Sequence, residues 1–401
     1  MRVLQVFNRY LERGGEEVSV ERISNVLSQR HEVFHCYFDS RTWKQESGAV
    51  ASAKQLTRMF HNPDAALRLR RHIEACRPDL VLVHNLFPVG SLTVLRVVAG
   101  LNVPVAHMVH NFRPYSVNGY LWAAGRLLPQ GLKKNFLPEI LVGAWQSSRL
   151  KTAAFAMVLW AAHALRVYGK IDGWLAISQF MREAFIKAGQ PAEKVFLLRH
   201  SWDPGPEPDS RPDDPPYFLF LGRLIESKGV STLLEAWKIA SAHIPTARLV
   251  IGGDGPLALE VTAAAAGLPR CEYLGQVEGE KKTALLDRCL AMVIPSVWWE
   301  PLGLVVYEAY DHAKPVLAAR AGGLAETVSP GETGWLHEPG NAQELAAQMV
   351  EAVGNPMEAA RRGGEGRRWL LENTRTADWL DAFDEIAGKL VARKTRSSEA
   401  H

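Results

Sequence analysis

Short apolar runs alternate with amphipathic stretches along the 401 residues, and the alternation starts afresh after one proline-rich segment. Arg2 to Phe7 reads as a strand, Glu16 to Gln29 as a helix with Val18, Ile23, Val26 and Leu27 inward, and Glu32 to Phe38 as a second strand. A helix around Ala65 to Cys76, a strand Leu80 to His84, a helix around Ser91 to Val98 and a strand Val103 to Val109 continue the pattern. Gly173 to Ile177 is a further strand, Ser178 caps a helix Gln179 to Ala188, and Val195 to Leu198 closes the sheet. Asp203 to Pro216 then holds six prolines in fourteen residues and reads as an interdomain linker. Beyond it, strands at Tyr217 to Leu221, Arg248 to Ile251, Leu290 to Ile294 and Pro315 to Ala318 alternate with helices at Val230 to Ala242, Leu324 to Val328, Gln343 to Val353 and Ala377 to Val391. Repeated βαβ units imply an α/β fold with parallel, doubly wound sheets, and ligands outside the carboxyl ends of the strands.

The length suits two domains with full cores. With 47% apolar and 22% charged residues the composition is that of a globular protein, apart from the last few residues, Arg393 to His401. Met1 to Phe7 is too short for a signal peptide, and the apolar run Thr152 to Leu165, broken by His163, falls short of the roughly 20 residues a spanning helix needs. Cys36, Cys76, Cys271 and Cys289 lie far apart without CxxC or Cys/His metal spacing, so neither a disulfide nor a structural zinc is expected. The net charge of +3 conceals an asymmetry: residues 1–200 carry +12 and residues 201–401 carry −9. A basic half suits an acidic membrane surface, a lipid phosphate or nucleic acid, or is merely a solvated face.

The residues able to do chemistry stand at strand ends. Arg13-Gly14-Gly15-Glu16-Glu17 joins the first strand to the first helix, where glycines let a phosphate or sugar approach the backbone, although a flexible turn has the same look. His84-Asn85 and His110-Asn111 end neighbouring strands. Between residues 112 and 172, Tyr115, Asn118, Tyr120, Trp122, Trp145, Phe155 and Trp160 mingle with Arg126, Lys133, Lys134, Arg149 and Lys151. That mixture suits a membrane surface or stacking on sugar rings, and equally a long helix with tryptophan in its core. Gly222-Arg223 and Lys228-Gly229 put two cations and two glycines at a strand-to-helix turn, a setting for a diphosphate or for ion pairing with Glu226. Gly252-Gly253-Asp254-Gly255-Pro256 is another glycine loop, but GxGxxG and GxxxxGK[ST] are both missing, which disfavours dinucleotide and P-loop readings. Glu300 and Glu308 flank Pro301-Leu302-Gly303-Leu304, with Pro301 in the first turn of a helix and Glu308 about two turns in. Ionised carboxylates accept hydrogen bonds only, and a sugar ring offers donors.

Glu-x7-Glu at 300–308, with Gly322-Gly323-Leu324-Ala325-Glu326 after it and Gly222-Arg223-Leu224-Ile225-Glu226-Ser227-Lys228-Gly229 before it, resembles the retaining glycosyltransferases of family 4. The three blocks stand in the family's order. The likeness covers the C-terminal half well and the N-terminal half loosely. It implies a GT-B fold, two Rossmann-like doubly wound domains facing each other across a cleft: 1–202 on the acceptor side, a linker 203–216, a donor-binding domain 217–375, and a last helix, 376–401 with its tail, crossing back to the first domain. It further implies transfer of a hexose-type sugar from a nucleoside diphosphate sugar to a hydroxyl of a glycan or lipid-linked acceptor, with retention and without a metal or other cofactor.

By the same resemblance Glu308 takes the ribose hydroxyls, Glu300 the sugar hydroxyls, and the amides near Leu302, Gly303 and Leu304 the phosphate or sugar oxygens. Arg223 and Lys228 neutralise the leaving diphosphate, while Gly14, Gly15, Gly222, Gly255, Gln276 and Val277 line the donor. Val109-His110-Asn111-Phe112-Arg113 matches the family's post-strand histidine, which places His110 near the reacting carbon. His84, Asn111, Arg113 and Asn118 are the acceptor-side candidates. A cytoplasmic protein is implied, with peripheral contact at the inner membrane face left open and no nucleic-acid partner. A nucleotide-sugar epimerase on the same fold, and a sugar-nucleotide or glycan binding protein without turnover, are the alternative functions; a covalent glycosyl adduct on Glu300 is the alternative mechanism.

Overall fold

The computed structural model describes residues 1–11, 14–44, 49–101, 103–208 and 211–399. Arg13 of the first glycine loop, Asp209 and Ser210 of the proline-rich segment, and Ala400 and His401 lie outside the described residues. The chain divides into two compact units, residues 1–200 with 376–401, and residues 201–375.

The first unit is built on a six-stranded parallel sheet. Its strands are β1 (Arg2–Arg9), β2 (Glu32–Asp39), β3 (Leu80–Val83) and β4 (Val105–Val109); a two-stranded hairpin, β5 (Trp122–Ala123) with β6 (Arg126–Leu127), stands apart; and β7 (Gly173–Ala176) and β8 (Val195–Leu197) complete the sheet. The order is β2-β1-β3-β4-β7-β8. β3, β4 and β7 are buried along their whole length, as near-continuous apolar runs in a sheet covered on both faces must be. Helix Gly15–Leu27 buries Val20, Ile23, Val26 and Leu27, whereas Val18 is exposed. Ile23, Val26 and Leu27 are inward as expected, and Val20 takes the place of Val18. Helix Thr376–Glu399 also packs here: Leu390 is the nearest side chain to Gly173, and Asp381 and Asp384 pair with Arg30.

The second unit repeats the plan with β9 (Tyr217–Leu221), β10 (Arg248–Gly252), β11 (Cys271–Tyr273), β12 (Ala291–Ile294), β13 (Val316–Ala319) and β14 (Gly334–His337), ordered β11-β10-β9-β12-β13-β14. Its core is formed by Phe218, Trp237, Leu249, Ile251, Val293, Leu317 and Leu345. The proline-rich stretch lies along this unit: Gly205 N–H donates to Asp311 Oδ1 (2.9 Å), Arg367 Nη2 to the Gly205 carbonyl (2.7 Å), and Asp213 N–H to the Arg288 carbonyl (2.9 Å). Helix Pro356–Asn373 has no counterpart in the sequence reading, because its Gly363, Gly364 and Gly366 resemble loop residues. Two of them are packing devices. A Cβ on Gly363 would stand 2.0 Å from the Ala313 carbonyl oxygen, and one on Gly366 2.5 Å from the Tyr310 ring.

In each sheet the connections run one way and then the other, and the reversal falls between two adjacent strands, β1 and β3 in the first and β9 and β12 in the second. Loops leaving those strands at their carboxyl ends diverge and leave a crevice, the usual ligand site of open α/β sheets.

Candidate functional site

At the second unit's reversal the loops after β9 and β12 are tied together. Val297 N–H donates to the Ser227 carbonyl (3.0 Å), and a Cβ on Gly229 would stand 1.8 Å from the Pro295 carbonyl oxygen, so only glycine, at φ +70°, permits the approach. Lys228 Nζ donates to Glu300 Oε1, which also accepts from Ser296 Oγ (2.8 Å) and Trp298 Nε1 (2.9 Å). The ammonium also faces the Trp298 ring, 5.6 Å from its centroid. Burial would raise the Glu300 carboxyl, but the Lys228 ammonium and the two neutral donors hold it below its ordinary value. Glu300 is thus an ionised carboxylate in a mostly buried place, 4% exposed.

Neighbouring loops join this pair. Gly323 N–H donates to the Glu300 carbonyl (2.7 Å), and Gly322 bridges Glu300 through the backbone. On the other side Gly222 N–H donates to the Gly252 carbonyl (3.1 Å), Leu224 N–H to the Asp254 carbonyl (2.8 Å), and Gly253 N–H to the Gly275 carbonyl (2.8 Å). Gly222 and Gly255 are half-buried in these loops and Arg223 is exposed. Val277 is buried, whereas Gln276 is exposed and donates to Glu278 Oε1 (2.7 Å).

Helix Leu304–Asp311 starts three residues after Pro301, on Gly303 at φ +85°. The expected first-turn proline therefore lies outside the helix, and Glu308 is little more than one turn in. Pro301 and Leu302 are buried under the loop instead. Glu308 accepts from Lys282 Nζ at 2.7 Å, and both are partly exposed. The helices opening on Gly229 and Gly303 carry no side-chain cap, nor does the one opening on Gly14. Their first N–H groups are left for water or a ligand. Asn62, Ser148, Ser178, Asn341 and Asn355, by contrast, cap their helices with side chains.

The first unit's reversal gathers a second set. Asn8 N–H donates to the Asn85 carbonyl (2.8 Å), and Asn8 Oδ1 accepts from Val89 N–H (2.8 Å), which joins the loops after β1 and β3. Gly14 and Gly15 have open space where a Cβ would stand. Glu16, which follows them, accepts from Tyr10 Oη (2.6 Å) and Asn111 Nδ2 (2.8 Å) through Oε2, and burial raises its carboxyl against those bonds. Glu16, Asn85, Phe87, His110, Asn111 and Arg113 line one pocket of this unit.

His84 Nδ1 and His110 Nε2 are 2.9 Å apart, and the His110 ring stacks on His200 at 5.4 Å between centroids. His107 stacks on Trp174 at 5.0 Å. Burial brings His107 and His110 down to about 3 and drives His84 and His200 well below their ordinary value, so all four rings are neutral at pH 7. Glu16 and His200 were not among the sequence candidates. Glu16 stood beside the glycine pair and had a signal; His200, beyond the end of β8, had none.

Two of the acceptor-side candidates serve their own loop. Arg113 donates to the Val117 carbonyl and lies over the Trp145 ring at 5.0 Å, so the aromatic and basic residues are here packed together inside. Asn118 donates to the Trp122 carbonyl (2.7 Å) and accepts from Tyr120 N–H (2.9 Å). Glu139 finishes that loop, accepting from Ser116 Oγ (2.5 Å) and Val117 N–H (2.9 Å). Among the described residues no group of three or more His, Cys, Asp or Glu is placed to hold a metal ion, and no helix is long and apolar enough to cross a membrane.

Two six-stranded parallel units of this order define a GT-B fold, and solved structures share it over nearly the whole chain. HepE of Anabaena, solved in complex with UDP, superposes with a TM-score of 0.67 at 18% identity, covering 97% of this chain and 100% of that one. Sucrose-phosphate synthase of Thermosynechococcus elongatus reaches 0.68 at 18% identity over 100% of both chains. Family profiles match end to end: Glycosyltransferase Family 4 over residues 13–205 and Glycosyl transferases group 1 over 206–369. The chain belongs to the group 1 glycosyltransferases. Among curated relatives, the sulfoquinovosyl transferase of Arabidopsis thaliana is 25% identical over 332 residues, 80% of this chain and 58% of that protein. The GDP-mannose-dependent alpha-(1-6)-phosphatidylinositol monomannoside mannosyltransferase of Mycolicibacterium smegmatis is 28% identical over 261 residues, 60% of this chain and 68% of that protein. The match thus spans about three-fifths to two-thirds of the length of these relatives.

Proposed function

We propose that this protein transfers a hexose-type sugar from a nucleoside diphosphate sugar to a hydroxyl of a glycan or lipid-linked acceptor, with retention of configuration and without a metal. The observation that carries the reading is the joined pair of loops after β9 and β12, in which Lys228 meets Glu300 and the helix on Gly303 opens without a side-chain cap; Arg223 is exposed in the first of those loops. A diphosphate competes with Glu300 for Lys228 and frees that carboxylate for sugar hydroxyls. Glu308, now on Lys282, takes the ribose. Cations already in place where charge develops on a leaving group lower the barrier by several kcal/mol. The name of one relative, a phosphatidylinositol monomannoside mannosyltransferase, is that of an enzyme with a lipid-linked acceptor and supports that half of the reading.

Melting curves with a panel of sugar nucleotides test the donor half, because a ligand bound only by the folded state stabilises by about 2.7 kcal/mol at a hundred times its Kd. One nucleotide sugar should raise the Tm well above the others, and the same one should turn over only when acceptor lipids or glycans are added, with an unchanged rate in EDTA. Turnover of donor alone to an isomer would replace this reading by the epimerase. Trapping a glycosyl adduct on Glu300 would replace the one-sided mechanism by a double displacement.

A further inference from the structure

Four side chains in the first unit form a directed chain. Tyr37 Oη donates to Gln5 Oε1 (3.1 Å), which turns the Gln5 amide nitrogen toward His84 Nε2, at 3.5 Å. His84 Nδ1 lies 2.9 Å from His110 Nε2. Gln5 and His84 are fully buried, and Tyr37 is half-buried, its phenol pushed up to about 12 by burial and so protonated throughout the neutral range. A neutral imidazole has one N–H and one lone pair, and its neighbours decide which nitrogen holds which. The amide N–H of Gln5 requires the lone pair of His84 at Nε2, which places the His84 proton on Nδ1. That proton points at His110 Nε2, which must accept. The His110 proton then sits on Nδ1, a buried atom with no hydrogen-bond partner among the described residues.

We propose that Gln5 and His84 are positioning residues which lock His110 as its Nδ1–H tautomer, so that His110 meets a ligand oxygen as a hydrogen-bond donor with a fixed ring orientation. The role rests on the transferase reading; the lock itself does not. A neutral donor held this way needs no proton taken from solvent, and an unpaired buried N–H gains a full hydrogen bond when a ligand oxygen arrives.

Long-range ring 15N–1H correlation on the ligand-free wild-type protein tests the lock. The expected spectrum shows His84 and His110 both protonated at Nδ1 and unprotonated at Nε2. Gln5→Leu removes the orienting donor, and both rings should then show mixed tautomers. His84→Asn offers an amide N–H where Nδ1–H was and should keep His110 protonated at Nδ1 with kcat within threefold of wild type. His84→Phe should lower kcat tenfold or more with less than a threefold change in the KM for donor. A wild-type His110 protonated at Nε2 overturns the proposal without any variant having to fold, and so does a Gln5→Leu protein whose tautomers are unchanged. A protein that shows the lock, loses it in Gln5→Leu and transfers no sugar upholds the relay and sinks the transferase reading alone.

Discussion

Lys228 and Glu300 stabilise each other, and their separate substitutions should show it. Glu300 is nearly buried and Lys228 partly so. Removing one partner of such a pair leaves an uncompensated charge, and the cost is about 3 kcal/mol. Lys228→Ala should therefore lower both the stability of the second unit and turnover, with the loss in turnover at least tenfold. Arg223→Ala, at an exposed position, should lose turnover tenfold with an unchanged melting curve. Near wild-type rates in both variants would remove the cations from the site. The paired double variant Lys228→Met/Glu300→Gln should regain most of the stability and none of the turnover, because it restores burial without the charges.

The buried histidines make a pH prediction at the same scale. His107 and His110 titrate at about 3 in the folded protein and near 6.5 when unfolded. Below about pH 6.5 the unfolded chain binds protons that the folded chain refuses, so stability falls as pH falls, through a window that ends near pH 3. Between pH 6.5 and 5 melting curves should fall with pH through the histidines, opposed only by the buried carboxyls of Glu16 and Glu139, which burial raises. A flat Tm across that interval would mean that the rings are hydrated.

At the level of loops and helices, the glycines separate into two kinds with opposite expectations. Gly229, at φ +70°, and Gly253, at φ +141°, each have a backbone oxygen 1.8 Å from where a Cβ would stand. Alanine at either should destabilise by roughly 2 kcal/mol or more, through left-handed strain and a clash that backbone cannot avoid. Gly14, at φ −127°, and Gly15 have no atom within 4 Å of a Cβ. Gly15→Ala lies within a helix and should stabilise by up to about 1 kcal/mol. Both Gly14→Ala and Gly15→Ala should keep the fold and lose turnover if a substrate passes over this backbone. An unaffected rate in both would return the pair to the status of a turn.

For the whole molecule, the +12 charge of residues 1–200 has an exposed apolar companion. Leu137, Leu141, Leu150 and Leu165 are each more than half exposed, and Lys133, Lys134, Arg149 and Lys151 stand close to them in sequence. Contact with anionic lipid would use both, at about 1 kcal/mol per cation near the surface. Sedimentation with anionic vesicles should show binding at low salt that weakens as salt rises, and Leu137→Ser/Leu141→Ser should weaken it at every salt. Absence of binding at low salt would leave the basic half as a solvated face.

Much of this protein was legible in its sequence for local reasons. Strands such as Tyr217–Leu221 are apolar runs whose periodicity survives in any tertiary context, and Ser178 caps its helix through a bond three residues away, to Met181 N–H. Glycine at a strand end likewise announces a loop. Tertiary structure alone decided the rest, since each remaining point depends on residues far apart in the chain. Lys228 meets Glu300 across 72 positions, and the Arg113 guanidinium lies over the ring of Trp145, a residue far from it in the chain. The glycine-rich helix Pro356–Asn373 forms because its glycines let it press against Ala313 and Tyr310, where propensity alone argues for a loop. The orientation of His110 is set by a glutamine 105 residues earlier, through a second histidine. Hydrogen bonds and close packing act over a few ångströms in space and recognise no distance along the chain.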